Sequence, residues 1–376
     1  MREKPTGTAI SGSDDVRRQD DGQPTFVVDS SQRTSRVRLL GLRWVMKRPS
    51  SITVFAALCL LASQAVFAAE HPQTSSQSSD RGSTSAPPSA PRSNPPRTRV
   101  EQPRRVVAIG DVHGDLRATR LALHLAGAID RNDRWIGKDL VVVQLGDQID
   151  RGEDDRAVLD LFERVANEAH AAGGAVYALI GNHEALNVAL DFRYVASGAY
   201  TSFSEFANEL RVTRRSRSLR VADRGRGAAF QPGGSYARLL GGRNVVVMIG
   251  ETVFVHGGIT PRYARYGLER INREIREWML GKTPDPPHWI EYADSPLWTR
   301  SYSVDVEARD CELLRRTLRI LGAKRMVVAH TVQDEGVTSA CNEMVWRIDV
   351  GMAKHYGGTV EIVELVGEEM RVIKTQ

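Results

Sequence analysis

From Arg104 onward the chain repeats one pattern: a short apolar run, a turn-forming glycine, then a stretch with apolar residues at helical spacing. Residues 106–109, 140–145 and 176–180 are such runs, stopped by Gly110, Gly146 and Gly181. Apolar runs this short, followed by turn residues, read as buried strands. Residues 116–126 and 157–172 lie between them and carry the period of amphipathic helices. Strand, helix, strand, helix predicts an α/β fold with parallel pairing. Further on, residues 245–249, 252–255, 326–329, 344–350, 359–366 and 370–373 are mostly β-branched and closely spaced, which predicts a second, mixed sheet. Helices are expected over 202–210, 268–280 and 306–321.

The first hundred residues follow a different rule. Residues 1–45 are polar and Arg-rich without apolar periodicity, and read as a disordered or mis-assigned upstream segment. Met46-Lys47-Arg48 then precedes an apolar stretch over 52–67 that ends in small residues around Ala68 and Ala69. A basic start, an apolar centre and a small-residue exit make residues 46–69 a signal peptide, or an uncleaved anchor. Met46 is then a candidate translation start. Residues 70–103 are rich in Ser, Pro, Thr and Arg and read as a flexible linker. One catalytic domain is expected over 104–376. The expected location is periplasmic or secreted, with a membrane-anchored form as the alternative; membrane contact is expected only through the N-terminal segment.

Composition narrows the function. Lys+Arg and Asp+Glu number 51 and 46, a balance too even to imply a nucleic-acid partner. The three cysteines form no Cys-x-x-Cys pair, which argues against a thiolate metal site. In an oxidising compartment Cys311 and Cys341 are free to pair; two buried thiols are the equal alternative.

Five short motifs follow the predicted strands: Gly110-Asp111-Val112-His113-Gly114, Gly146-Asp147-Gln148-Ile149-Asp150-Arg151-Gly152, Gly181-Asn182-His183-Glu184, His256-Gly257-Gly258 and His330-Thr331. Ligands of open α/β sheets sit outside the carboxyl ends of strands, which is where all five fall. A two-metal centre needs hard anionic and imidazole ligands plus one shared carboxylate. Asp111 and His113 can face one ion, Asp147 is the natural bridge, and Asn182, His256 and His330 supply the second ion. Two ions about 4 Å apart lower the pKa of a bridging water and neutralise developing phosphoryl charge. Arg151 offers a planar donor fork to phosphate oxygens, and Asn182 is a further phosphate contact. Asp150 can hold the His183 imidazole, and a His held by an Asp suits a general acid. The ligand set fits manganese first, with iron or zinc as alternatives.

These motifs resemble those of the calcineurin-like metallophosphoesterases, in the phosphoprotein phosphatase branch. The resemblance implies two mixed β-sheets packed as a sandwich flanked by helices, with a dinuclear metal site at the strand ends. It implies the same ligand roles for Asp111, His113, Asp147, Asn182, His256 and His330. Within the branch, Pro296-Leu297-Trp298-Thr299-Arg300 and the stretch from Val328 to Met352 are similar to the bacterial Shewanella-like protein phosphatases. That resemblance makes Arg300 a second phosphate-binding arginine, against the plainer reading of a surface ion pair.

The expected activity is phosphomonoester hydrolysis, with phosphorylated protein or a small phosphomonoester as substrate. Dinucleoside polyphosphates are an alternative substrate. A diesterase is disfavoured because two arginines suit a terminal dianion better. A catalytically silent metal-dependent binding module is the alternative of another class, and its mark would be a lost ligand. Arg211, Arg214, Arg215, Arg217, Arg220, Arg224 and Arg226 crowd one segment. It reads as a solvated insertion in preference to a basic lip for an acidic or phosphorylated polymer.

Overall fold

The computed structural model describes residues 95–375 of the chain. Residues 1–45, the apolar segment 46–69, Cys59 and most of the expected linker lie outside the described residues.

The strand Arg105–Ile109 serves two cores at once, because side chains alternate along a strand. Val106 and Ala108 point inward and Val107 and Ile109 outward, all buried. In chain order the strands are β1 (Arg99–Val100), β2 (Arg105–Ile109), β3 (Val141–Gln144), β4 (Ala175–Ala178), β5 (Val246–Ile249), β6 (Thr252–Val255), β7 (Arg325–Val328), β8 (Thr338–Ala340), β9 (Val345–Arg347), β10 (Glu361–Val366) and β11 (Glu369–Lys374). One sheet runs β11-β10-β2-β3-β4 and the other β1-β5-β6-β7-β9-β8. Both are mixed. β2, β3 and β4 are parallel, with Ala108 opposite Val143 and Val143 opposite Tyr177, while β10 is antiparallel to β2. In the second sheet β5 and β6 are antiparallel, and β6, β7 and β9 parallel.

The inner core joins the two sheets through Val106, Val143, Leu179, Val247, Phe254, Val327 and Ile348. Helices α1 (Leu116–Leu125) and α2 (Asp155–Ala171) cover the outer face of the first sheet, with Leu123, Val158 and Phe162 fully or nearly fully buried. The second sheet's outer face lies under α5 (Ser235–Gly241), α6 (Pro261–Tyr266), α7 (Leu268–Met279) and α8 (Ala308–Leu321). Two short helices, α3 (Asn182–Val188) and α4 (Arg224–Phe230), stand beside the strand ends. The sandwich of two mixed sheets with flanking helices is the architecture the resemblance implied.

Two local expectations change, and one open alternative is decided. The linker does not extend to Pro103: Arg99 and Val100 pair in parallel with Met248 and Ile249 as the edge of the second sheet. No apolar run announces this strand, because two residues need only fill an open sheet edge with backbone hydrogen bonds. Residues 202–209 lie within a 3-10 segment, Ser197–Glu209, not an α-helix, and Leu210 caps it. Its buried Phe203 and Phe206 are three apart, which suits three residues per turn. Cys311 and Cys341 form a disulfide with a Cα–Cα separation of 5.2 Å, tying α8 to the turn between β8 and β9.

Candidate metal centre

Every motif loop begins where a buried strand ends. β2 delivers Asp111 and His113, β3 delivers Asp147 and Asp150, β4 leads into α3 with Asn182 and His183, β6 ends one residue before His256 and β7 two residues before His330. The loops turn sharply. His113, Asp147, Asp150, Arg151 and His330 have φ of 40, 51, 71, 68 and 67°. Side chains rarely adopt this left-handed region, and such strain clusters at functional sites. Glu184 holds two of the loops together. Its carboxylate accepts backbone N–H bonds from Gly181 at 2.7 Å, Asp147 at 3.0 Å and Gln148 at 2.8 Å. Gly181 permits that approach, since a Cβ there would meet Asp147 Oδ1 at 2.1 Å.

The polar atoms then meet in an arrangement with too few protons. His256 Nδ1 is 2.9 Å from the carbonyl oxygen of Leu145, so Nδ1 carries the hydrogen and Nε2 a lone pair. That Nε2 faces Asn182 Oδ1 at 2.8 Å, Asp147 Oδ2 at 3.2 Å and His330 Nδ1 at 3.2 Å. His113 repeats the motif: Nδ1 reaches the Ile149 carbonyl at 3.2 Å, and Nε2 lies 3.8 Å from Asp111 Oδ2 and 3.9 Å from Asp147 Oδ2. Asp111 Oδ1 and His330 Nε2 are buried without a hydrogen-bond partner. Acceptors converging on acceptors, with the opposite imidazole nitrogen tied to a carbonyl, is the arrangement a metal cation resolves. Among the described residues two groups could each hold a cation, His113-Asp147-His183 and Asp147-His256-His330; within each the ligand atoms lie no more than 4.8 Å apart, and Asp147 belongs to both.

Burial sets the charges. It pushes the His113 imidazole down to about 3, helped by His183, so His113 is neutral and its lone pair is available. Burial and the neighbouring His256 also hold His330 well below its ordinary value. Burial raises the Asp111 carboxyl well above the usual range, with Asp349 and Asp147 adding to the effect. A pocket this crowded with acidic groups favours a cation.

His183 behaves in the opposite way. Nδ1 lies 2.7 Å from Asp150 Oδ2, and Nε2 lies 3.7 Å from Asp147 Oδ2. Burial alone would lower its pKa; the charges of Asp147 and Asp150 and the Asp150 bond outweigh it and lift it to about 9. His183 therefore carries a proton on Nε2, so although it lies within the first group it offers no lone pair to a cation. Arg151 stacks over the Tyr194 ring at 4.4 Å, and its backbone N–H bonds the Tyr194 carbonyl. Arg300 donates to Thr331 Oγ1 at 3.0 Å and to the His330 carbonyl at 3.3 Å. It makes no ion pair among the described residues, so the plain reading of a surface pair does not hold. All ten residues singled out in the sequence thus gather at one end of the sandwich.

Five further residues escaped the sequence reading. Arg226 is fully buried among Phe192, Phe203 and Phe230. It donates to Asn187 Oδ1 at 2.8 Å and to Asp150 Oδ1 at 3.1 Å, and lies 2.7 Å from Asp155 Oδ2. Asn187 donates to Asp150 Oδ1 at 3.0 Å, and Asp155 Oδ1 accepts the Asp150 backbone N–H at 2.9 Å. Asp150 is thereby fixed from four sides. Reading the arginine-rich segment as one solvated insertion is corrected at Arg226, whose burial depends on rings far away in sequence. The other six arginines are exposed, as expected. Glu184 and Asp349 complete the set; Glu184 stands inside the Gly-Asn-His-Glu motif, where its position was the available signal. His124, His170, His288 and His355 belong to neither ligand group.

The family model of calcineurin-like phosphoesterases matches residues 104–334. The chain is 38% identical over 299 residues to Shewanella-like protein phosphatase 2 of Arabidopsis thaliana, spanning 71% of this chain and 76% of that protein. It is 29% identical over 258 residues to Shewanella-like protein phosphatase 1 of Plasmodium berghei, spanning 66% and 67%. Among solved structures, the cold-active protein-tyrosine phosphatase of a psychrophilic Shewanella species shares the fold. Its TM-score is 0.62 at 22% identity, covering 75% of this chain and 83% of that one.

Proposed function

The chain belongs to the calcineurin-like phosphoesterase family and is a hydrolase of phosphate esters; on that basis we propose that it is a metal-dependent phosphomonoesterase acting on phosphorylated protein. The observation that carries the reading is the convergence of acceptor atoms on Asp147, with the protonated His183 beside them. Asp111, His113 and Asp147 would hold one divalent ion, and Asp147, Asn182, His256 and His330 the other, manganese being the metal proposed. When bound, such ions supply an activated water and offset phosphoryl charge.

The chain's own residues do the rest. Arg151 and Arg300 offer two guanidinium forks to the oxygens of a terminal phosphate, which a diester would use less fully. His183 Nε2 gives its proton to the departing ester oxygen, and Asp150 keeps Nδ1–H in place so that Nε2 faces the reacting group. Arg226, Asn187 and Asp155 hold Asp150 rather than touch substrate. The protein substrate is supported by the relatives' names, Shewanella-like protein phosphatases. The Cys311–Cys341 disulfide and the apolar segment 46–69 support export to an oxidising compartment.

The test is a side-by-side assay of the metal-stripped, Mn-reloaded protein on a phosphotyrosine peptide, a phosphoserine peptide, an aryl phosphomonoester and an aryl phosphodiester. Metal-dependent release from a phosphopeptide is the expected result. Hydrolysis of the diester alone would overturn the monoesterase reading, and hydrolysis of the aryl monoester alone would overturn the protein substrate.

A further inference from the structure

One strongly charged surface is left unused by this chemistry. Between residues 211 and 226 seven arginines stand against the single Asp223, a formal charge of +6. The whole chain carries +5, so all other residues together total −1. Residues 33–48 carry a second run of six basic residues, but residues 104–376 hold 37 Lys+Arg and 37 Asp+Glu, so the catalytic region outside this segment totals −6 and its positive charge is concentrated here. Arg226 is spent inside the fold and Arg220 pairs with Asp223 at 2.8 Å. Arg214, Arg217 and Arg224 are exposed and make no ion pair among the described residues.

The segment is held in a defined shape and in a defined place. Ser216 Oγ donates to the Arg211 carbonyl at 2.7 Å and accepts the Thr213 N–H at 2.7 Å. Arg215 Nη1 donates to the carbonyl of Ala189, the cap at the end of α3. α3 begins at Asn182 and His183, seven residues earlier, which is about 10 Å along the helix axis at about 1.5 Å per residue. An extended peptide advances about 3.3 Å per residue, so three or four residues cover that distance. Two exposed aliphatic side chains, Val212 and Val221, each 77% accessible, border the arginines. The segment itself contains no aromatic residue, and base-stacking surfaces depend on aromatics.

We infer that this arginine lip docks the acidic flank of a phosphorylated peptide, selecting substrates with Asp or Glu three or four residues from the phosphorylated side chain. The inference deepens the protein-phosphatase reading and rests on it. Each exposed ion pair is individually weak, worth about two- to fivefold, so two pairs together give about tenfold.

The experiment compares two phosphopeptides, identical except for Glu or Gln at the third and fourth positions from the phosphorylated residue, with an aryl phosphate as the third substrate. The enzymes are the full-length Mn-loaded protein and its R214Q/R217Q/R224Q variant. The expected kcat/KM is about tenfold higher for the Glu peptide at low salt, falling toward equality in 0.5 M NaCl, where screening is short-ranged, and in the variant. Aryl phosphate, too small to reach the lip, reports the catalytic centre and the fold of the variant separately. Equal rates for the two peptides with the wild-type protein would overturn the lip. So would a preference that survives in the variant, or stronger inhibition of peptide hydrolysis by single-stranded DNA than by the acidic peptide. Hydrolysis of aryl phosphate with neither peptide cleaved would instead remove the protein-phosphatase reading beneath it.

Discussion

Arg226 Nη2 lies 2.7 Å from Asp155 Oδ2 with both side chains closed to solvent. The same nitrogen donates to Asp150 Oδ1, the carboxylate that holds His183. Removing one member of a buried charged cluster leaves the others uncompensated, at a cost of about 3–5 kcal/mol. Arg226→Met is expected to lower stability by about that amount and to reduce kcat more than it changes KM. Denaturant unfolding and steady-state kinetics check both. A fully stable, fully active variant would mean the cluster neither supports the fold nor positions Asp150.

His183→Asn is expected to lower turnover about 100-fold or more while metal content stays intact, as for a lost general acid. Turnover within a few-fold of wild type would take His183 out of that role.

The proton on His183 also makes stability depend on pH. Its pKa rises from 6.5 to about 9 on folding, so its contribution is fully present below pH 6.5 and is lost as pH climbs through 9. The shift corresponds to about 3 kcal/mol. In chelator, the stability difference between wild type and His183→Asn is expected to shrink by about this amount between pH 6 and pH 9.5. Urea unfolding at the two pH values measures it; a difference independent of pH would contradict the assignment.

Glu184 accepts three backbone N–H groups that set the Asp147 loop. Glu184→Gln replaces one accepting oxygen by a donor, and supports of this kind are worth about 10- to 100-fold in metal affinity. Metal titration followed by calorimetry is expected to show weaker binding with the circular dichroism spectrum unchanged.

The gathering of the candidate ligands was legible in the sequence for a physical reason. Three of the strands are buried runs followed by a glycine, so the polar residue after it is delivered to the same end of a sheet, and Asp111, Asp147 and Asn182 need nothing more than that. His256 follows its strand directly and is marked by Gly257-Gly258 after it. Arg226 was not legible, because seven arginines in sixteen residues look solvated and the rings that bury one of them lie in Phe192, Phe203 and Phe230. Its only local mark is the small and apolar run Gly227-Ala228-Ala229-Phe230 beside it. Arg99–Val100 was hidden similarly: an edge strand of two residues is specified by its partner, not by its own composition.

Removing the guanidinium of Arg300 is expected to raise KM and weaken inhibition by inorganic phosphate, with kcat changed less. The Thr331 and His330 bonds fix its position beside the ligand loop. Phosphate inhibition that is identical in Arg300→Ala and wild type would leave it as a structural residue.

The most direct measurement is metal stoichiometry by native mass spectrometry and elemental analysis, on wild-type protein and on Asp147→Asn, each reloaded with Mn. Two ions per wild-type chain and depletion of both in Asp147→Asn are the predicted result, because one carboxylate belongs to both ligand groups. Full occupancy in Asp147→Asn, or phosphatase activity that survives complete metal removal, would contradict the shared carboxylate and the dinuclear centre built on it.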